Sequence, residues 1–460
     1  MTTERRGEMT GPNTVRIHPV GEAGNRTHGL DGRFRLAFVL FGGMLALQSS
    51  PTLDATKIGY LAGTILCLLG ASAAVWNARG SSAVRLTAPW IAASIALTVV
   101  MAVSFFVARG NGTSTTEWVR GVAAYGLFAM VPVFALDAQA SASRKLLVGM
   151  LVIAGLLGGV SWAVEWLNRR HILDLPFNRF VFPSAQLPSM LYLFAMATAL
   201  TAGPRRAAWA VLAGAVLGLF LLTGTRASLV LLVGPLPMVI LAGWDRVRSS
   251  VRTIVLHAVV GVAIVFAFQG ALALPSTLGL GRPSEEPGSS PPPVTTVPDV
   301  IGDRFGSLPA VLGNPASDAS FQERFSQYQA TWALFVSSPI VGVGPGHLIP
   351  WVNVSGLPRV GYTADTPLVM PAKFGLLGIL VFMGAAVAFG SIVRSALRRN
   401  RRSPITLTLI GYGVWTVVGL PLGFPIEDKG ASLAIILLLA LALVDRTAPR
   451  TNSATLDAVA

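Results

Sequence analysis

The sequence predicts an all-α integral membrane protein of about 12 transmembrane helices, with one large extracytoplasmic loop before the tenth span. Three observations carry that prediction. Hydrophobic residues make up 53% of the 460-residue chain and charged ones only 12%, about half the charged share of a soluble domain. Runs of about 20 apolar residues recur along the chain, each long enough to cross a hydrocarbon core of about 30 Å. Arginine and lysine gather in alternate connections between those runs. A transmembrane barrel would show short alternating segments instead.

Residues 1–33 are polar, rich in Gly and Arg, and lack a signal-peptide pattern, so they read as a disordered basic cytoplasmic tail. The region 34–274 holds nine apolar spans at 35–48, 57–77, 86–107, 117–137, 146–166, 184–203, 207–223, 226–243 and 252–274. The seventh and eighth are joined only by "TGTRAS". As one helix they would run to roughly 55 Å, too long for a single crossing, so a tight turn must separate two spans. A loop of about 91 residues follows, from 275 to 365. Its part 281–300 is a Pro/Ser-rich linker, and its part 303–350 has the apolar and aromatic content of a folded, helical segment. Long ordered loops of this kind are usually functional. The region 366–446 supplies three more spans at 366–393, 404–421 and 430–445, and 447–460 is a second cytoplasmic tail. Cys67 lies inside an apolar span, where it reads as a buried, inert thiol and cannot form an intrachain disulfide.

With the N-terminus in the cytoplasm, 22 of the 35 Lys and Arg fall on the inner side. The positive-inside rule then puts both termini of a multi-pass membrane protein in the cytoplasm. This accounts for most of the +14 net charge and removes the need to invoke nucleic acid.

Charges within or at the ends of spans are costly, and therefore point to sites. On the outer half these are Glu117 with Arg120, Glu165 with Arg169 and Arg170, Arg226, and Lys373. "STTE" (Ser114–Glu117) has the pattern of a capping box; Arg120 reads equally well as structural or functional. Arg169, Arg170, His171 and Arg179 crowd one short outer loop against the charge rule, which favours an anion site. Arg226 sits in the tight turn at the outer boundary, beside the N–H groups that open the next helix; a snorkelling anchor is the alternative.

In "ERFSQYQATWALFVSSPIVGVGPGHL", Phe321, Phe325, Tyr328, Trp332 and Phe335 recur at helical spacing, with Arg324 one turn before Tyr328. A Gly/Pro turn then ends the helix, and its glycines suggest close approach of backbone to a ligand. It is not a phosphate loop, because the Lys-Ser/Thr ending is missing. The five histidines are scattered and show no ligand spacing, so no metal is expected.

Three segments together resemble one family. "LLTGTRASLVLLVG" resembles its Ser/Thr-Arg-Gly/Ala turn, "RFSQYQATWALFVSSPIVGVGPGHL" its Arg…Trp…Pro-Ile/Leu-Gly-Val-Gly segment, and "DTPLVMPAKFGLLGILVF" its re-entry into the membrane. In order and spacing they are similar to the O-antigen ligase and polymerase family of bacterial membrane glycosyltransferases, over roughly residues 207–380. That resemblance implies transfer of a glycan from a polyprenyl (undecaprenyl-type) diphosphate carrier to a hydroxyl of a glycan, lipid or protein acceptor. It implies no cofactor and no metal, with membrane lipids as the only other partners. Arg226, Arg324 and Arg170 would then bind the diphosphate, and Tyr328 and Arg169 the substrate. Many members carry a His-Asn pair about eleven residues before Gly-Leu-Leu-Gly, and that position is Ala364 here. Asp365 and His347 are therefore the candidate catalytic bases. Lys373, two turns beyond Asp365, stands where members often have an acid. A polymerase of lipid-linked repeat units, a transporter or flippase of the same lipids, and a non-catalytic homologue are the rival readings.

Overall fold

The structure, a computed structural model, describes residues 31–47, 55–169, 184–201, 205–222, 230–242, 251–252, 254–267, 314, 319–353, 355–423 and 427–447. Among them it is a helix bundle with one small hairpin. The first helical segment runs as α1 (Gly32–Ala37), a π-helical turn (Phe38–Gly42) and α2 (Gly43–Ala46). There follow α3 (Ala55–Asn77), α4 (Ser82–Gly110), α5 (Thr115–Ser141), α6 (Arg144–Arg169), α7 (Gln186–Thr201), α8 (Arg206–Leu222) and α9 (Pro235–Ala242), the last preceded by a 3-10 turn at Leu231–Val233. Next come α10 (Ile254–Ala267), α11 (Ala319–Ser337), the strands β1 (Ile349–Val352) and β2 (Pro358–Gly361), α12 (Val369–Asn400), α13 (Pro404–Gly419) and α14 (Lys429–Thr447). Helix occurs in each of the twelve apolar stretches. Five helices, α3 to α6 and α12, are long and apolar enough to cross a membrane by length and composition, and α8, α10 and α13 are shorter apolar helices.

Their apolar character decides who is central. α7 is apolar on all sides and is buried from Gln186 to Met196 without interruption, as a helix without a polar face must be. α14 packs along α5, α12 along α4, and α7 against α8, α13 and α6. By contrast α3 leaves Ile58, Ile65, Leu66 and Leu69 more than half exposed, which suits a helix facing lipid. Cys67 is a free, buried thiol.

The bundle has two distinguishable ends. At one, Arg35 donates to both carboxylate oxygens of Asp137 at 2.6 and 2.8 Å, and both side chains are almost wholly buried. Arg33 Nε donates to the Ser141 carbonyl, Arg446 to Ser395 Oγ at 2.8 Å, and Asp445 accepts from Ser403 at 3.1 Å. The other end carries α11 and the hairpin.

The loop before α12 carries a helix within the expected helical segment 303–350 and then a hairpin that the sequence did not suggest. Its described part is one helix, a turn and an antiparallel hairpin in which Ile349 faces Gly361 and Trp351 faces Arg359. Asn353 closes that hairpin: its side-chain oxygen accepts from the N–H groups of Ser355 and Leu357, and Gly356 takes the positive φ that the turn needs. The aromatic stripe of α11 also faces outward. Phe325 and Trp332 are more than half exposed, while Gln327 and Thr331 are the buried residues.

Removing one partner of a buried ion pair strands the other charge, at a cost of about 3–5 kcal/mol. Asp137→Ala should therefore lower stability by that order in detergent-solubilised thermal denaturation. Replacing Arg35 and Asp137 together with apolar residues should cost distinctly less.

Candidate functional site

The site is built on a broken helix. α12 is interrupted at Gly375, whose φ of 62° and ψ of −156° lie outside the helical region. A break in an apolar bundle exposes N–H and C=O groups that need partners. The turn after α11 supplies them. Val343 and Gly344 N–H donate to the carbonyls of Ala372 and Lys373 at 2.9 and 3.1 Å, while Leu376 and Leu377 N–H donate to those of Pro339 and Ile340 at 2.8 and 3.3 Å.

This contact explains the glycines. A Cβ on Gly342 would lie 2.4 Å from the Lys373 backbone, one on Gly375 2.3 Å from that of Ile340, and one on Gly346 2.5 Å from that of Glu117. Gly121 on α5 has the same relation to Gly346, at 2.3 Å. The glycine turn thus lets backbone meet backbone, rather than backbone meet ligand. Asn111, just past α4, ties the turn further by donating to the Val343 carbonyl at 2.9 Å.

The N-terminal part of α12 places Lys373 inside the bundle. Its Nζ donates to both carboxylate oxygens of Glu427, at 2.9 and 3.0 Å, and the Lys373 side chain is 3% exposed. The Tyr125 hydroxyl of α5 donates to the same carboxylate, and the Tyr125 ring lies 5.8 Å from Nζ. Asp365 precedes α12 in a loop, so the two are not on one helix face as the spacing suggested. Beside Glu427, Asp428 accepts from Ser184 Oγ at 2.9 Å and from Gly430 N–H at 2.8 Å. Burial outweighs those bonds and pushes its carboxyl up to about 6. Lys429 interacts electrostatically with Lys57, Arg120, Asp428 and Glu427. One end of the bundle therefore gathers four cations, Lys57, Arg120, Lys373 and Lys429, around a smaller anionic core.

α11 crosses this end on its polar face. Glu323 accepts from Trp351 Nε1 at 3.2 Å, Ser326 Oγ from Val352 N–H at 3.0 Å, and Gln327 Oε1 from Asp365 N–H at 2.6 Å. Those bonds hold Asp365 close to Arg324. The Asp365 residue is exposed, yet protein crowds its carboxyl on one side. That desolvation raises its pKa, opposed by the Arg324 charge and reinforced by Glu323. Tyr328 donates its hydroxyl to the Pro421 carbonyl at 3.0 Å. A Cβ on Gly423 would stand 3.9 Å from Asp365 Cα, so Asp365 borders the segment that leads to Glu427.

The expected residues fare differently. Arg324, Tyr328 and Asp365 share one neighbourhood. His347 is half-buried at the end of the glycine turn, and no hydrogen bond joins it to Asp365. Ala364, where a histidine was expected, is buried against Ile349 and Val369 in a small apolar cluster under α11. Arg226 and Arg170 lie outside the described residues; Arg169 ends α6, and its side chain lies outside them too. The capping box forms as expected, with Ser114 and Glu117 exchanging bonds of 2.8 and 3.2 Å. The other Glu117 oxygen accepts from Tyr362, which ties the hairpin region to α5. Sequence reasoning missed Glu427, Asp428, Lys429, Lys57 and Tyr125. "EDKG" (Glu427–Gly430), three successive charges at the mouth of an apolar span, was the available signal.

These features define a helical bundle, with helices long and apolar enough to cross a membrane, that carries a cluster of charges at one end. Residues 210–383 match the family model described as O-Antigen ligase. The matched segment reaches from α8 into α12 and includes Arg226, Arg324, Asp365 and Lys373. No curated protein matches the chain.

Gly375→Ala should lower thermal stability by about 1–3 kcal/mol from backbone strain alone, since its Cβ would meet backbone rather than a flexible side chain. Gly149→Ala is the control. It sits within α6 with open space around it and should show no loss.

Proposed function

We propose that the protein is a membrane glycosyltransferase of the O-antigen ligase type. It moves a glycan from a polyprenyl diphosphate carrier to an acceptor hydroxyl on the outer face of the bacterial cytoplasmic membrane. The chain crosses that membrane about twelve times with both termini inside. The observation that carries the reading is Arg324 beside Asp365, in a loop-and-helix unit that lies within the matched domain.

The chemistry follows from that pair. Asp365 takes the proton of the acceptor hydroxyl as its oxygen bonds to the anomeric carbon. The bond from that carbon to the diphosphate oxygen breaks, and the carrier diphosphate leaves. Arg324, with Arg226 and Arg170, neutralises the leaving group by charge-assisted contacts, the job that a cation does elsewhere. A base is most effective when its pKa is near the working pH, so the upward shift of the Asp365 carboxyl favours that role over an ordinary surface aspartate. Tyr328 and Arg169 line the sugar path, and no metal or cofactor is needed. A polymerase would differ only in its acceptor. A transporter reading draws on the broken helix, yet the break falls at the seventh residue of α12 and is filled by the glycine turn, whereas transporter breaks lie near the bilayer midplane.

The assay supplies purified protein with a polyprenyl-diphosphate glycan and an acceptor, and measures released carrier diphosphate. Arg226→Ala and Arg324→Ala should each reduce turnover about 100-fold or more; near-normal rates in both would remove the clamp. Because Asp365 must be deprotonated, kcat/KM should climb with pH along a limb displaced above the usual carboxylate range of about 4. Asp365→Asn should lose that limb together with about 100-fold or more of the rate, while His347→Ala keeps both. Movement of intact lipid without diphosphate release would favour the transporter.

A further inference from the structure

The last turns of α12 leave the bundle at the end that holds the Arg35–Asp137 pair, where Arg446 donates to Ser395 Oγ. Arginines crowd there, at 394, 398, 399, 401 and 402, and they divide by helix face. Arg399 turns inward and, with Ile392 and Ser395, lines a small cavity against α13 and α14. Arg394, Arg398 and Arg401 are exposed. Among the described residues their guanidinium groups have no hydrogen-bonding or ionic partner. Arg401 caps the helix with helical φ and ψ, so the three continue one helical path.

Their spacing puts them on a face that the rest of α12 already marks. Leu376, Leu380, Met383 and Val387 recur at steps of four, three and four residues, and each is about half exposed or more. Two turns beyond Val387 comes Arg394, then Arg398 and Arg401 at steps of four and three. Residues so spaced share one side of a helix. One outward stripe therefore changes from apolar to cationic without changing direction. α12 is long and apolar enough to cross a membrane. At 1.5 Å per residue, Arg394 lies about 27 Å along the helix from Leu376, close to the thickness of a hydrocarbon core of about 30 Å. Met383 lies about 16 Å before Arg394, about the depth of one leaflet's hydrocarbon.

A snorkelling anchor needs only one arginine at the boundary, and the positive-inside bias does not ask its charges to share a face. Three such charges in a column below an apolar stripe match an amphiphile with acyl chains and a negatively charged head. We propose that this face of α12 binds an anionic phospholipid. Its acyl chains lie along Met383 and Val387, its phosphate sits between Arg394 and Arg398, and Arg401 stands nearest the water. Guanidinium groups hold phosphate by charge-assisted, often bidentate bonds, and basic clusters just outside a membrane helix attract anionic lipid. A zwitterionic lipid fits less well, because its own ammonium group offsets the phosphate. The site depends on α12 crossing a membrane and not on glycan transfer, and it lies at the opposite end of the bundle from Arg324 and Asp365.

The test uses the full chain in phosphatidylcholine nanodiscs with a trace of phosphatidylglycerol that bears a diazirine on one acyl chain. Cross-links should map to α12 between Met383 and Arg401. Unlabelled phosphatidylglycerol should suppress them about ten-fold more than added phosphatidylcholine or inorganic phosphate. Arg394→Gln combined with Arg398→Gln should lower the labelling about ten-fold. Arg85→Gln combined with Lys145→Gln removes as much charge from exposed residues at the same end and should leave the labelling within about two-fold. Equal loss in both pairs would show a diffuse field in place of a site, and inorganic phosphate competing as well as the lipid would show a free-anion site. Either result overturns the proposal, as does labelling that ignores the headgroup. Thermal melts check that the variants fold, and the wild-type competition decides the matter if the Arg394 and Arg398 pair does not.

Discussion

The constraint behind this structure is that a helix cannot be broken inside an apolar bundle unless something else satisfies its backbone. α12 breaks at Gly375, and the glycine turn after α11 fills the gap with four backbone hydrogen bonds. That one junction fixes several things at once. It sets the direction in which Lys373 enters the bundle, it pins α11 across the site end, and it locks the turn against Glu117 and Gly121 of α5. Since those contacts are backbone to backbone, only glycine fits, and side-chain repacking cannot relieve a substitution.

Electrostatics act on that frame from opposite ends. At the arginine-rich end, Arg35 and Asp137 form a closed pair whose charges satisfy each other. At the site end charges are shared among more groups. Glu427 is shared by Lys373 and Tyr125, Asp428 is engaged by Ser184 and Gly430, and Lys57, Arg120 and Lys429 add positive charge to the same space. The carboxylates of Glu427 and Asp428 offset part of that charge. Arg324 and Asp365 stand beside it on elements that the glycine junction holds in place.

Much of this was legible in the residues. Apart from the end of α12, which runs on to Asn400, the apolar stretches locate the described helices to within a few positions; "STTE" announces the cap on α5, and the Gly/Pro run ends α11. Asp365 was reachable by counting back from Gly-Leu-Leu-Gly. Other features were not. The stripe from Phe321 to Phe335 marks a helix but does not say whether it meets core or lipid, because either can accept an apolar face. The hairpin at Ile349–Gly361 is only two short strands, below the length at which alternation speaks clearly. Lys373 looked like a companion of Asp365 because their spacing suits a helix, and only the loop at 365–368 separates them.

What the sequence determined by itself was local and solvent-driven: which stretches are apolar enough for a bilayer, where helices begin and end, and which charges are out of place there. Those follow from transfer free energies and backbone chemistry, which depend on a residue and its near neighbours. Pairings across the chain were decided only by the tertiary structure. Lys373 meets Glu427, Arg35 meets Asp137, and Gly342 meets Lys373 because packing brings distant segments within a few ångströms, and no local rule states which of several buried charges or glycines will be adjacent.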